Sequence, residues 1–109
     1  MIKPTSSFKE NLQLLPPFKS LTHIELLDPT GTVVALINNQ PGKQGSLAVY
    51  HYLEKNFDML NGEAARHGLT VFAEHVVDAK NRPGAHPNID ILLEIVDGAE
   101  PLNIRIVEV

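Results

Sequence analysis

Apolar positions recur along this chain with two periods, and the change of period marks the elements. In "SLAVYHYLEKNFDML", Val49, Leu53, Phe57 and Leu60 share one face of a helical wheel, and His51, Glu54, Lys55 and Asp58 share the opposite one. That is the pattern of an amphipathic helix, and it places His51 on a solvated face. Before it, "LTHIELLD" and "TVVALIN" read as strands around "DPTG". Asp at the first position, Pro at the second and Gly at the fourth suit a type I turn, so the pair predicts a hairpin. At the start, Ser7 and Glu10 have capping-box spacing, Phe8, Leu12 and Leu15 share a helical face, and Pro16-Pro17 stops the helix.

The second half continues in the same way. "NGEAARHG" predicts a short helix with Asn61 as cap, Gly68 as stop and His67 in the last turn, where the negative dipole end suits it. "LTVFAEHVV" predicts a third strand, "NIDILLEIVDG" a helix ending at Gly98, and "PLNIRIVEV" a last strand in which Leu102, Ile104 and Ile106 alternate with Asn103, Arg105 and Val107. The order α-β-β-α-(α)-β-α-β predicts an α+β two-layer sandwich with a four-stranded mixed sheet. A chain of 109 residues with no linker or repeat is expected to form a single domain over residues 1–109.

Composition narrows the chemistry. There is no cysteine, which removes disulfides, thiolate metal sites and a cysteine nucleophile. The net charge is −4, and in residues 1–62 five acids balance five lysines, so neither half offers the clustered cations that general nucleic-acid binding needs. The N-terminus has no apolar signal core and no apolar run approaches the roughly 20 residues of a membrane helix. A cytoplasmic location is the expectation.

Two loops stand out. "NNQPGKQGS" leads into the long helix and "DAKNRPGAHPN" into the next-to-last element. Each carries Pro-Gly, the pair favoured at the centre of a type II turn, and each ends at a candidate helix cap, Ser46 and Asn88. If the second and third strands are parallel, a right-handed crossover puts both loops on one sheet edge, where ligands of open α/β sheets bind. Two helix N-termini would meet there, with Lys43 and Arg82 as anion anchors and His75 and His86 as donors. The ligand would be a small phosphate or carboxylate. If "NGEAARHG" reverses the chain, the strands become antiparallel and the loops part. "PGKQGS" is not an NTPase phosphate loop, since Ile37 stands where the first glycine is required.

A different reading takes His75, Asp78, His86 and Asp90 as ligands of a divalent metal, with a metal-bound water doing hydrolysis. Their spacing matches no strong metal signature. Each also has an ordinary role: Asp90 in a first helical turn, Asp78 in an Asx-turn, His86 in the extended conformation that Pro87 imposes, His75 half-buried on a strand. The C-terminal strand suggests a third class of function. As a sheet edge rich in Ile and Val, it would pair with a second copy or another protein.

"NNQPGKQGSLAVYHYL" together with "RPGAHPNIDILL" resembles a family of short bacterial proteins classed as a domain of unknown function. The resemblance spans nearly the whole chain and rests mostly on the two loops. It implies a compact α+β domain of the bacterial cytoplasm and no assigned activity. The sequence therefore predicts a small binding or interaction module rather than an enzyme, with the metal-assisted hydrolase as the alternative and no cofactor otherwise.

Overall fold

A computed structural model describes all 109 residues. The chain begins with a short helix, α1 (Phe8–Leu12). Ser7 caps it, its side chain accepting the Glu10 N–H at 3.3 Å. The Phe8 N–H is satisfied from across the chain, by Glu74 Oε1 at 2.7 Å. Asn11 is fully buried and explains its place in a core. It accepts the Thr5 N–H at 2.7 Å and donates to Thr5 O at 3.0 Å and Val71 O at 2.9 Å, so the cost of burying an amide is offset by its bonds.

The hairpin forms as expected. Strands β1 (Leu21–Leu27) and β2 (Val33–Asn38) pair antiparallel. The Gly31 N–H closes the turn on Asp28 O at 2.9 Å, and Asp28 Oδ1 accepts the N–H groups of Thr30 and Thr32. Strand β3 (Asn103–Glu108) pairs antiparallel with the other side of β1, giving the order β2-β1-β3. The sheet is thus three-stranded and antiparallel, not four-stranded and mixed. Ile24, Leu26 and Ile37 fill its covered face.

Between β2 and β3 the chain forms no strand but four helices, α2 (Gln44–Asn56), α3 (Gly62–Phe72), α4 (His75–Asn81) and α5 (Pro87–Val96). Helix α2 lies on the sheet, and α3 packs against both α2 and α5. Every residue of α2 from Leu47 to Leu53 is buried. His51 is only 8% exposed, not on a solvated face, because the sheet and α3 enclose α2 from different sides. The helix stops at Asn56; Leu60 instead forms a bridge with Leu102.

The segment expected as a third strand, "LTVFAEHVV", spans the end of α3, a break and the start of α4. Asn61 caps α3 through Oδ1, 2.9 Å from the Ala64 N–H. Gly68 does not stop this helix. It lies inside it, where an added Cβ would fall 2.9 Å from Leu92 Cδ1 and 3.0 Å from Leu53 Cδ1. The glycine lets α3 approach α2 and α5 closely. His67 consequently sits mid-helix, beside Tyr52. The break comes at Ala73, at φ 56° and ψ −123°. Helix α5 ends as expected at Gly98, φ 111°. One hydrophobic core joins sheet and helices, and the radius of gyration of 12.8 Å is that of a compact body of this length. No helix is long and apolar enough to cross a membrane.

Candidate functional site

The two Pro-Gly loops do form the turns their sequences specify. Lys43 N–H donates to Gln40 O at 2.9 Å across Pro41-Gly42, and Ala85 N–H to Arg82 O at 3.0 Å across Pro83-Gly84. Gly42 and Gly84 take the positive φ of a type II turn, 85° and 88°. Each turn delivers the chain into a helix without a side-chain cap. The cap position of α2 is Lys43, not Ser46, and that of α5 is His86, not Asn88. Ser46 is instead the third residue of α2. Pro87 starts α5 and Asn88 is its second residue. As a result the amides of Gln44, Gly45 and Ser46 have no protein acceptor, nor does that of Asn88.

These two helix starts meet. They line one cleft of about 190 Å³ with Gly42, Lys43, Gly45, Ser46, His75, Ala85, His86 and Asn88 in its wall, and Phe8 and Phe72 at its apolar side. The cause is not a parallel pair of strands. Tyr50, nearly two turns into α2, donates its hydroxyl to Asn88 O at 2.6 Å and so ties the two helices together beside their starts. Burial pushes the Tyr50 phenol up, so it remains a donor. Phe8 wedges in from α1. It stacks on Phe72 with centroids 5.4 Å apart and meets the His75 ring edge-on at 5.0 Å. Gly45 makes room for it, since a Cβ there would stand 3.1 Å from the Phe8 ring.

The polar residues divide into two groups. Lys43, Ser46, His75, His86 and Asn88 line the cleft; Asp78, Arg82 and Asp90 do not. Arg82 turns to Asp78, one helical turn before it, through Nε at 2.8 Å and a second bond from Nη2. Asp78 Oδ2 also receives His86 Nε2 at 2.6 Å. The Arg82 guanidinium first, and His86 next, hold the Asp78 carboxyl well below the usual range. A carboxylate can only accept, so His86 Nε2 carries a proton and Nδ1 is the ring atom left for another partner. The His75 and His86 ring centroids are 5.8 Å apart. Asp90 Oδ2 accepts the Gly84 N–H at 3.0 Å and stiffens the turn.

The proposed metal ligands do not assemble. No group of three His, Cys, Asp or Glu side chains is arranged to hold an ion, and Asp78 and Asp90 are committed to Arg82, His86 and Gly84. Residues that the sequence did not single out are Phe8, Phe72, Gly45 and Tyr50. Only Gly45, two residues past Lys43, carried a local signal; the others enter from elements distant in sequence. A larger pocket of about 380 Å³ lies between β2 and α5, but its lining is apolar apart from Glu94 and Glu100.

Fold and cleft together define a small α+β protein with paired, uncapped helix starts facing one recess. A family model described as an uncharacterized protein conserved in bacteria (DUF2322) matches residues 8–106, and the chain belongs to that family. No curated protein and no solved structure matches it.

Proposed function

We propose that the protein is a small cytoplasmic binding module whose cleft at the two Pro-Gly turns takes one compact anion, a phosphate or carboxylate group of a small ligand. The observation that carries this reading is the convergence of two uncapped helix starts, with free amides and positive dipole ends, on one recess. Lys43 supplies a full charge at the rim. His86, its Nε2–H held by Asp78, reaches the anion from Nδ1 as the imidazolium, the one form in which that atom donates, and His75 adds a second imidazole. Ser46 has a hydroxyl that no cap occupies. Arg82 acts at one remove, by holding Asp78 and through it the ring of His86.

Size favours a single anionic group. A cleft of about 190 Å³ holds roughly the volume of six water molecules and falls below the ~300 Å³ at which drug-sized ligands are usually enclosed. The larger pocket beside α5 presents two carboxylates, which repel anions. The test is an amide-resonance titration with inorganic phosphate, acetate and a sugar phosphate. Shifts should concentrate at Gln44–Ser46 and Asn88 and saturate, and Lys43→Ala should weaken binding about tenfold, the effect of ~1.4 kcal/mol. Unmoved resonances at those four amides under millimolar ligand would defeat the reading.

A further inference from the structure

β2 is one edge of the sheet and pairs only with β1. Natural edges are usually blunted by charge, proline or cover. β2 is not. From Thr30 to Gln40 the chain has no charged residue and no proline. Val33, Val34 and Leu36 are exposed, Leu36 by 51%. The single irregularity is a bulge near Val34, opposite Leu26 and Leu27, which leaves Ala35–Asn38 regular. The other edge, β3, is guarded by Glu108 and by Arg105, whose Nε is 2.6 Å from Glu25 Oε1.

The backbone of β2 is also set to pair outward. Asn39 donates its N–H to Thr22 O on the β1 side at 3.1 Å. Backbone direction alternates along a strand, so Leu36 aims its N–H and C=O at the open side and Asn38 its N–H, the Asn38 C=O accepting the Gln40 N–H at 3.0 Å. We propose that β2 is the seam of a homodimer, in which two copies pair antiparallel about a twofold axis at Leu36 to make one six-stranded sheet. Residues directly opposite each other in such a pair share a face. Leu36 opposite itself, Ala35 opposite Ile37 and Val34 opposite Asn38 keep both helix layers on the same side.

The partner is a second copy because a twofold interface sets each residue near the axis against its own image. Any charge there would face itself. The eleven residues Thr30–Gln40 contain none, in a chain whose net charge of −4 otherwise makes two copies repel. Leu36 meets its image with reciprocal backbone bonds and loses water on the face that no helix covers. This interface is independent of the cleft, which lies at the other end of the α2 loop.

Light scattering and amide hydrogen exchange test it together. At high micromolar concentration the protein should scatter as twice the 12.0 kDa chain. The Leu36 amide should exchange slowly there and quickly on dilution. Leu36→Lys changes an exposed side chain, so the thermal midpoint of the diluted protein should hold. It sets like charges against each other at the axis and should raise the dissociation constant on the order of a hundredfold. A strict monomer at millimolar concentration overturns the proposal. So does a dimer that survives Leu36→Lys, or one in which the Leu36 amide exchanges at the same rate whatever the concentration.

Discussion

Ala73 is the one residue other than glycine with positive φ, at 56°. With ψ at −123° it lies outside the left-handed helical well, where a Cβ crowds the backbone. The strain is kept because the break there turns α4 away from α3, placing His75 at the cleft and Glu74 on the Phe8 N–H. Ala73→Gly should therefore stabilise the fold. Strain relief of about 1–3 kcal/mol outweighs the ~0.4–1 kcal/mol of extra unfolded-state freedom, for a net gain near 1 kcal/mol. Urea unfolding checks it; a lower midpoint would show that the residue is not strained. No rule of local sequence marks this position, since alanine is a good helix former and "VFAEHVV" carries the β-branched residues of a strand. Ser7, Pro41-Gly42 and Pro83-Gly84, in contrast, were legible because a cap or a type II turn is decided within four residues.

At the scale of elements, helix α3 shows why the sequence predicts a strand where none forms. Ala64, Ala65, Gly68, Val71 and Phe72 are its buried positions, a helical spacing that runs straight through the glycine. Taking Gly68 as a stop cut that pattern in two and left "LTVFAEHVV" to look like a strand. Its true role depends on Leu53 and Leu92, which no local reading can see. Gly68→Ala tests the role. Better intrinsic helix propensity favours alanine by about 1 kcal/mol. The Cβ would, however, sit 2.9 Å from Leu92 and 3.0 Å from Leu53, and overpacking of that kind costs about 1–3 kcal/mol. A net loss near 1 kcal/mol is expected, seen as a thermal midpoint several degrees lower. A variant as stable as the parent would mean that α3 and α5 can separate freely. The three true strands were found because alternation in them matches one covered face, but mixed topology was inferred from a strand that does not exist.

The whole molecule brings the two loops together for a reason that the sequence did not supply: Tyr50 and Phe8 join helix starts, whereas the expected route was a parallel sheet edge. The same enclosure that makes α2 central buries His51 and half-buries His67, and this gives the fold a pH dependence. Desolvation lowers the His51 pKa, with Lys55 adding to it and Glu54 and Glu108 opposing it; its Nδ1 has no hydrogen-bond partner in the protein. Desolvation also lowers that of His67, with the N-terminal ammonium second. Tyr52 Oη accepts the Ile2 N–H at 3.2 Å and shares a hydrogen bond with His67 Nε2 at 2.6 Å, which keeps that ring in its half-buried place. Unfolded, both rings protonate near pH ~6.5; folded, they do so only at lower pH. Within that window the unfolded chain binds more protons, so stability falls as pH drops through it and does not depend on these rings above it. The depressed carboxylates Glu25, Asp28, Glu74 and Asp78 act in a separate range: their contribution is present above the ordinary acidic pKa values and is lost as pH falls below them. Between pH ~8 and ~5.5, above the carboxylate range, the urea midpoint of the native protein should decline, and His51→Leu combined with His67→Gln should flatten that decline. An equal slope in the double variant would assign the acid sensitivity to other groups and leave the two buried rings without a part in it.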